Sequence, residues 1–398
     1  ELIIPHALIF LKDKILQGFD NGLLTGMILI DLQKAFDTID HEILFQKMVQ
    51  IKFSKEVISW FKCYLSNRTF LVSINDKLSN RGYLKCGVPQ GSILGPLLFL
   101  LYVNDMKQAI KSDLLLYADD SCILYQHKEV KVIEKRLNED FSSLCDWFVD
   151  NKLSIHFGED KTKSILFASK KKVKSAGKLC IKYNDINIKQ YSNVCYLGCI
   201  LNNTFSGDSM GLKVVGKVNS RLRFLYRNSS VLSSALKRML CNALIQPHFD
   251  YASMIWYPNL SMKLKKKIQT SQNKCIRFCL QLDNRTSVNS GHFKSINWLN
   301  TFDRFRQTLN SSAFKFFHNN CPTFMKEIYH IASQSNINTR QSYLKLKQPL
   351  RKTNSGQKAL SYMGPGEWNL LPNSIKEAKD INSFKHKLKE YYFYQMQN

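Results

Sequence analysis

The stretch Leu114-Leu115-Leu116-Tyr117-Ala118-Asp119-Asp120-Ser121-Cys122-Ile123-Leu124-Tyr125 decides the fold prediction for this chain. Two apolar runs flank a short polar segment, a pattern that predicts a tight β-hairpin with Asp119 and Asp120 at its tip. Neighbouring carboxylates repel each other and raise each other's pKa. A divalent cation would allow both to stay ionised at neutral pH. Taken alone, the segment also fits a solvated turn, because aspartate is common in turns.

A third acid lies at the end of an upstream apolar run. Residues 27–32 have the character of a buried strand, and Asp31 interrupts the run near its carboxyl end. A carboxylate in that position needs a partner. A helix is predicted to follow, with three candidate capping residues: Asp37, Thr38 and Asp40. We interpret His41 as a residue of the helix start rather than a metal ligand.

A glycine-rich segment separates the two acidic sites. Residues 87–96 contain three glycines and two prolines, which expose backbone ahead of a predicted helix over 97–103. A hairpin is predicted before this segment, with strands near 70–74 and 83–86. Both acidic sites and the glycine-rich segment therefore lie in the first third of the chain.

The order of the Asp31 strand, the Gln90-Gly91 segment and the Tyr-Ala-Asp-Asp hairpin resembles the palm of a reverse transcriptase. More narrowly, residues 29–41 and 87–99 resemble the first two palm motifs of the reverse transcriptases of non-LTR retrotransposons (LINE-type, jockey/CR1-like). The resemblance extends over almost the whole chain and includes later stretches such as Gly364-Pro365-Gly366-Glu367-Trp368-Asn369.

Resemblance and periodicity together predict an α+β fold. The expected parts are a polymerase palm (a ferredoxin-like antiparallel sheet with helices on one face), an α-helical thumb and a basic C-terminal segment. The predicted domains are an N-terminal helix or fingers remnant over 1–22, the palm with an inserted hairpin over 23–205, the thumb over 206–290 and a basic domain over 291–398. Further predicted elements are a short helix and loop over 1–22, an amphipathic helix over 130–149, strands over 164–168, 179–183 and 195–201, and helices over 221–226, 234–245 and 263–280.

The resemblance implies a two-metal polymerase site. Asp31 and Asp119 would bridge two Mg²⁺ ions, with Mn²⁺ able to substitute, Asp120 would support them, and the Leu32 carbonyl would be a further ligand. The implied reaction extends a DNA primer on an RNA template by attack of the primer 3′-hydroxyl on the α-phosphate of a deoxynucleoside triphosphate.

The resemblance also implies roles for residues around the metals. Gln90 and Gly91 would border the nucleotide pocket, and Phe36 would be a steric gate against the ribose 2′-hydroxyl. A core aromatic is the alternative for Phe36, because phenylalanine is often buried. Lys161 would act on the leaving pyrophosphate, with an ordinary exposed lysine as the alternative. Tyr196, Leu197 and Gly198 would hold the primer end.

Charge is distributed unevenly along the 398 residues. Residues 1–160 carry 18 Lys and Arg against 21 Asp and Glu, a net charge of −3, whereas residues 161–398 carry 39 against 10, a net charge of +29. The basic half is predicted to bind nucleic-acid backbones with little sequence preference and with an affinity that falls steeply with salt. The expected partners are therefore an RNA template, a DNA primer or target and deoxynucleoside triphosphates.

Eleven cysteines follow no pairing or zinc-ligand pattern, which favours free thiols in a reducing compartment. We expect an intracellular protein, in the nucleus or cytoplasm as part of a ribonucleoprotein, without membrane-spanning segments and of undefined oligomeric state. The chain begins at Glu1, so a fragment of a longer product is expected, lacking a nicking endonuclease and most of the fingers.

Three interpretations of function remain open at this level. The favoured one is the RNA-directed DNA polymerase of a non-LTR retrotransposon. An alternative is a truncated or domesticated remnant that binds nucleic acid without catalysis, and the missing fingers favour it. A polymerase of another palm lineage fits residues 29–41 and 87–99 less well.

Overall fold

The computed structural model describes residues 4–158, 160–332 and 344–396. Its helices are α1 (Ile4–Asp20), α2 (His41–Gln50), α3 (Lys55–Leu65), α4 (Leu94–Val103), α5 (Val130–Asp150), α6 (Asp208–Arg227), α7 (Ser234–Leu244), α8 (Gln246–Asp250), α9 (Ser253–Trp256), α10 (Met262–Leu280), α11 (Ser290–Ser295), α12 (Thr301–Phe317), α13 (Met325–Ile328), α14 (Leu360–Asn369), α15 (Asn373–Lys376) and α16 (Ile381–Gln395). Its strands are β1 (Leu24–Ile30), β2 (Thr69–Phe70), β3 (Ser73–Ile74), β4 (Lys77–Leu78), β5 (Gly82–Tyr83), β6 (Asp113–Tyr117), β7 (Asp120–His127), β8 (Lys163–Phe167), β9 (Ile181–Tyr183), β10 (Ile186–Ile188), β11 (Asn193–Tyr196) and β12 (Cys199–Asn202).

The chain forms two compact units. The first, the sheet unit, contains residues 24–166 and 174–192; the second, the helical unit, contains residues 1–23, 167–173 and 193–398. The boundaries of these units differ from those of the predicted domains, which lie at 22/23, 205/206 and 290/291. The predicted domains stay predictions about function. Parts of the predicted 1–22 and 291–398 domains, namely residues 1–3, 333–343 and 397–398, lie outside the described residues.

A four-stranded sheet in the order β6-β7-β1-β8 organises the sheet unit. β7 pairs antiparallel with both β6 and β1. All seven residues of β1 are buried, as the continuous apolar run predicts. The predicted mixture of helices and antiparallel sheet is confirmed, and the strand order is that of a ferredoxin-like sheet.

Helix α5 covers β1 and β7 with its apolar side. Its buried residues recur at helical spacing: Ile133, Leu137, Phe141, Leu144 and Phe148. This confirms the amphipathic helix predicted over 130–149. Gly26 of β1 brings the helix close, because a Cβ atom there would lie 2.4 Å from Ile133 Cγ2 and 2.7 Å from Leu137 Cδ1.

Several predicted boundaries are wrong, each for a local reason. The expected strand over 195–201 is a hairpin, β11–β12, because Leu197 and Gly198 adopt left-handed φ angles of 45° and 73° and turn the chain. Helix α4 begins at Leu94 rather than residue 97, because Pro96 falls within the first turn, where its missing N–H costs nothing. The helix expected over 221–226 is the last part of α6.

Helix α1 is longer than the short helix predicted near the N-terminus because distant segments of the helical unit hold it. The buried Lys12 donates to the Met254 carbonyl at 2.6 Å. Burial lowers the pKa of Lys12 to about 7. The Asp13 and Asp20 carboxylates accept backbone N–H bonds from Ser361 and Thr353. Residues far apart in sequence therefore form one unit with α1.

The remaining predicted elements appear close to their expected positions. The hairpin before the glycine-rich segment consists of two short ladders, β2–β5 and β3–β4. None of the eleven cysteines, all of which lie within the described residues, forms a disulfide. In the described part of the chain, no helix combines the length and apolar character needed to span a membrane.

The close packing of α5 on β1 predicts opposite effects of two glycine substitutions. Gly26→Ala should lower the free energy of unfolding of the sheet unit by about 1–3 kcal/mol, because the new methyl group overpacks this contact. Gly216→Ala, on an exposed position of α6 where a Cβ meets no atom within 4 Å, should stabilise by about 0.5–1 kcal/mol. Denaturant unfolding of both variants tests this, and equal effects would contradict the packing described.

Candidate active site

The β1–β7 register brings the predicted acids together. Ile30 pairs with Ser121, so one further step along each strand sets Asp31 opposite Asp120. Adjacent strands lie about 4.8 Å apart, which is close for two carboxylate-bearing residues. Ala118 and Asp119 form the two-residue turn between β6 and β7, and Ala118 has a left-handed φ of 51°. The predicted hairpin with Asp119 and Asp120 at its tip is therefore confirmed.

The three acids interact electrostatically. The Asp120 side chain reaches solvent, but its carboxyl group is partly desolvated. This desolvation, followed by the charges of Asp119 and Asp31, raises the pKa of Asp120 above its usual range. Keeping all three acids ionised thus costs free energy in the protein alone, and a bound cation would offset that cost.

Two basic side chains approach the Asp31 carboxylate. His156 Nδ1 lies 3.3 Å and Lys161 Nζ 3.4 Å from Asp31 Oδ2. The backbone holds the same residues together, because the His156 N–H donates to the Asp31 carbonyl at 2.8 Å and the Asp31 N–H donates to Thr162 Oγ1 at 3.3 Å. Lys161 thus lies beside Asp31, and its action on a leaving pyrophosphate stays a prediction. His156 was not singled out from the sequence, although it lies five residues before Lys161.

The Leu32 backbone faces away from the segment that carries His156. Leu32 and Ile155 form an isolated antiparallel bridge. The hydrogen bonds beside this bridge are made by the neighbouring residues, from Gln33 N to Ser154 O and from His156 N to Asp31 O. Leu32 and Ile155 are not hydrogen-bonded to each other, and in such a pair the N–H and C=O of each residue point away from the partner strand. The Leu32 carbonyl is therefore directed away from Ile155.

Phe36 lies where the chain leaves β1 and turns toward α2. Its ring stacks on the buried ring of Phe99 in α4, with centroids 4.8 Å apart and an interplanar angle of 27°. Phe36 itself stays partly exposed. One side of the ring is thus supported by the core, and the side chain is both a packing residue and part of the surface.

The glycine-rich segment is hydrogen-bonded to the chain beside Phe36. The Val88 N–H donates to the Phe36 carbonyl at 2.9 Å, and Gln90 Nε2 donates to Asp37 Oδ1 at 2.8 Å. Asp37 is therefore a partner of Gln90 and not the helix cap; Asp40 caps α2 by accepting from the Ile43 N–H at 3.1 Å. His41 begins α2, as interpreted from the sequence.

Gly91 has a φ of 81°, a conformation that favours glycine. A Cβ there would meet no atom of the protein within 4 Å, so the backbone is exposed at this point. The resemblance implies one reason for a glycine here, a place at the border of the nucleotide pocket. The backbone angle is an independent reason that local sequence does not reveal.

The Tyr102 hydroxyl ties three segments around the site. It accepts from the Asp40 N–H at 3.4 Å and donates to the Asn151 carbonyl at 2.7 Å. The segment after Asp31, helix α4 and the end of α5 therefore share one buried tyrosine. Burial raises the pKa of Tyr102 to about 12, so the hydroxyl stays a donor at neutral pH.

Tyr196, Leu197 and Gly198 belong to the helical unit, at the β11–β12 turn. The Leu197 carbonyl accepts from the Tyr251 hydroxyl at 2.5 Å, and the Gly198 carbonyl accepts from Lys213 Nζ at 3.3 Å. Tyr196 is buried. The turn is thus fixed within its own unit.

The acids suit a hard divalent cation, but they are not a complete set of metal ligands on their own. Across residues 4–158, 160–332 and 344–396, no three His, Cys, Asp or Glu side chains are grouped in a metal-holding arrangement. Mg²⁺ is commonly bound by one or two carboxylates together with water and substrate phosphates. Carboxylates whose mutual charges raise the pKa of Asp120 are a donor set of this type.

Comparison with known proteins identifies similar sequences among reverse transcriptases and RNA-directed DNA polymerases. Residues 9–201 match the family model described as reverse transcriptase (RNA-dependent DNA polymerase). The chain is 27% identical over 279 residues to the probable RNA-directed DNA polymerase from transposon X-element of Drosophila melanogaster, covering 67% of this chain and 29% of the relative. It is 28% identical over 279 residues to the corresponding protein from transposon BS (67% and 30%) and 24% identical over 273 residues to that from mobile element jockey (66% and 29%), both of the same fly.

Residues 9–201, just under half of the chain, are therefore similar to reverse transcriptases. Over about two thirds of its length, the chain is similar to these three RNA-directed DNA polymerases of mobile elements. It spans about three tenths of the length of the three relatives named above.

The raised pKa of Asp120 predicts a pH-dependent gain in stability on removing its charge. A carboxyl whose pKa is raised on folding destabilises the folded state once it ionises. Asp120→Asn should therefore raise the apparent Tm at pH 7 by about 1–3 °C. The gain should disappear as the pH falls below the ordinary aspartate pKa. Asp185→Asn, in an exposed turn, is the control; a Tm gain for Asp120→Asn that is the same at pH 3 and pH 7 would contradict the repulsion.

Proposed function

We propose that the protein of which this chain is a part is an RNA-directed DNA polymerase of a non-LTR retrotransposon. Its reaction would be nucleotidyl transfer that extends a DNA primer on an RNA template. The observation that carries the proposal is the apposition of Asp31 with Asp119 and Asp120 across the β1–β7 pairing and its hairpin turn. The family match and the named activities of the relatives support it.

In this proposal the sheet of β6, β7, β1 and β8 is the palm, and residues 206–290 are the thumb. Residues 23–205 would form the palm with its inserted hairpin, residues 1–22 a remnant of the fingers, and residues 291–398 a basic C-terminal domain. The helices α6, α7 and α10 within 206–290 fit a thumb in composition and length.

Asp31, Asp119, Asp120 and the Leu32 carbonyl would hold two Mg²⁺ ions, or Mn²⁺ in their place. When bound, these ions would supply charge neutralisation for the attacking and leaving oxygens. The repulsion that raises the pKa of Asp120 supports this, because it is relieved by a cation. His156 and Lys161 orient the Asp31 carboxylate before the substrate enters.

Lys161 would leave its contact with Asp31 and bind the leaving pyrophosphate instead. Its Nζ lies 3.4 Å from Asp31 Oδ2 on a half-exposed side chain, so it can contact a phosphate without a backbone movement. Gln90 and Gly91 would border the nucleotide, and Phe36 would lie under its sugar. The open space around Gly91 and the partial exposure of Phe36 support these roles.

The partners in this proposal are an RNA template, a DNA primer or target and deoxynucleoside triphosphates. Residues 161–398, with a net charge of +29, would supply most of the backbone contacts. Tyr196, Leu197 and Gly198 would hold the primer end. A ribonucleoprotein in the nucleus or cytoplasm is the proposed location.

Primer extension on RNA and DNA templates with Mg²⁺ tests the proposal, using the 398-residue chain beside a version extended upstream. Asp31→Asn or Asp119→Asn should abolish extension, while RNA affinity stays equal or rises because a phosphate-repelling charge is gone. Asp185→Asn should leave both unchanged. Extension that survives in either active-site variant would refute the two-metal proposal.

Activity only in the extended version would mean that the chain is a catalytic part that needs upstream residues. Nucleic-acid binding with no extension by either version would favour the alternative, a remnant that binds without catalysis.

Phe36 gives a test of sugar discrimination. In a version shown to polymerise, Phe36→Val should incorporate ribonucleotides at least ten-fold better relative to deoxynucleotides, because the smaller side chain leaves room for the 2′-hydroxyl. Single-nucleotide incorporation measures the ratio. Phe99→Leu is the control, since it loosens the support behind the ring without opening the exposed side. If Phe36→Val instead lowers both activities in proportion, Phe36 is a packing residue only.

A further inference from the structure

Residues 68–85, the basic hairpin, lie in the sheet unit between α3 and the glycine-rich segment. The hairpin consists of the β2–β5 ladder and, toward its tip, the β3–β4 ladder. Several large apolar side chains along it are exposed: Phe70, Leu71, Val72, Ile74, Leu78, Tyr83 and Leu84. A two-stranded hairpin is marginally stable on its own. Exposed apolar side chains clustered on such an element indicate a surface that meets a ligand or a partner.

One face of the basic hairpin packs on itself. Phe70 pairs with Gly82 across the β2–β5 ladder. A Cβ atom at Gly82 would lie 2.5 Å from Phe70 Cε1, so the aromatic ring lies across the glycine. Such a contact stabilises a strand that lacks a side chain at that position. Phe70 is therefore explained by the stability of the hairpin.

The opposite face carries an aromatic ring between two cations. The Leu84 N–H donates to the Arg68 carbonyl at 2.9 Å, so the strand pairing continues past Tyr83, the last residue of β5. Side chains alternate between the two faces of an extended strand, and every second residue is about 7 Å further along it. Arg81 and Lys85 therefore lie on the same face as Tyr83, one on each side of its ring.

These three side chains are open to solvent. Tyr83 has 70% of its surface exposed, more than Phe70 on the other face. Arg81 and Lys85 are exposed as well. Among the residues that the structure describes, neither cation has an ion-pair partner. The ring and both charges are thus available to the same ligand.

The charge of this region favours an anionic partner. Residues 51–86 carry seven Lys and Arg against two Asp and Glu, a net charge of +5, whereas the rest of residues 1–160 carries 11 against 19, a net charge of −8. The basic hairpin is therefore a positive region within the acidic half of the chain. An exposed aromatic ring flanked by cations suits single-stranded nucleic acid, because an unpaired base stacks on the ring while phosphates contact the cations.

The basic hairpin leads directly into the surroundings of the acid site. Cys86 Sγ donates to the Asp37 carbonyl at 3.3 Å, and the Gly87 N–H donates to the Ile39 carbonyl at 2.8 Å. Tyr83 precedes Gly87 by four residues, so the two lie within about 14 Å of each other even in a fully extended chain. A strand bound at Tyr83 is thus close to the segment that would border the nucleotide.

We propose that the face of Arg81, Tyr83 and Lys85 binds single-stranded nucleic acid. A base stacks on the Tyr83 ring, and the neighbouring phosphates contact Arg81 and Lys85. RNA and DNA strands offer the same base and phosphate chemistry. The surface goes beyond the proposed polymerase chemistry, because binding there needs neither the acids nor a metal ion, and it is separate from the charge of residues 161–398.

Photocrosslinking of the full chain in EDTA-containing buffer locates the contact. The probes are short single strands of RNA and DNA that contain 5-iodouracil, and mass spectrometry of the peptides identifies the crosslinked residue. A crosslink should form at Tyr83 and persist in Tyr83→Phe, which keeps the ring. Crosslinking by both strands would identify a surface that accepts either sugar, and crosslinking by RNA alone would identify RNA as the ligand. No crosslink to residues 68–85 from either strand would overturn the proposal.

Fluorescence anisotropy with a labelled single strand measures the affinity. An excess of unlabelled duplex occupies sites that contact only the backbone, since paired bases are not available for stacking. Tyr83→Ala should weaken binding about five-fold or more, whereas Tyr83→Phe should stay within about two-fold. Arg81→Gln/Lys85→Gln should weaken binding about three-fold or more and make its salt dependence shallower, because two phosphate contacts are lost.

The control variant is Lys128→Gln/Lys131→Gln, which removes the same charge from exposed positions around the start of α5. Its affinity should stay within about two-fold of the wild type. Equal loss in this control would show that net charge alone is responsible. Unchanged affinity in both Tyr83→Ala and Arg81→Gln/Lys85→Gln would also overturn the proposal and favour a protein partner for the exposed apolar side chains.

Discussion

The antiparallel pairing of β1 with β7 is the constraint on which the acid site depends. It sets Asp31 at the end of a fully buried strand opposite Asp120 at the start of its neighbour. A shift of one residue in this register would turn every β1 side chain to the other face of the sheet. The packing of α5 against Gly26 holds the same strand from one face. The carboxylates are therefore kept near one another by the core, at a cost seen in the raised pKa of Asp120.

The contacts of Asp31 explain how such a site can persist without substrate. Lys161 balances part of the negative charge, His156 Nδ1 lies 3.3 Å from the same carboxylate, and the backbone bond from the His156 N–H to the Asp31 carbonyl holds the two segments together. Stability and the proposed metal chemistry thus make opposite demands on Asp120, as is common at functional sites. The glycine-rich segment joins the same assembly through Phe36 and Asp37, so the motifs that are separate in sequence become one surface.

Local sequence patterns were sufficient for the elements that carry the acids. The two flanking apolar runs predicted the hairpin at Asp119 and the apolar run before Asp31 predicted β1. Capping chemistry left three candidates for the start of α2, of which Asp40 is the cap. The patterns failed where the decisive information is a single backbone angle or a distant contact. The turn at Leu197 needs a positive φ in a residue that rarely adopts one. His156 acquires its partner only when the segment after α5 meets the end of β1.

The long-range contacts within the helical unit could not be predicted from the sequence either. The bonds from Lys12 to the Met254 carbonyl and from the Ser361 N–H to Asp13 join residues more than 240 positions apart, and no periodicity indicates them.

Counting bound metal ions tests the acid site most directly. The full chain, with a primer–template duplex and a non-reactive deoxynucleotide analogue, can be titrated with Mn²⁺ and followed by electron paramagnetic resonance. If the three carboxylates form the cation site, two ions should bind per chain, and Asp31→Asn or Asp119→Asn should remove at least one of them, while Asp185→Asn should not. Equal Mn²⁺ binding by the wild type and both active-site variants would contradict the assignment of these acids as the metal site.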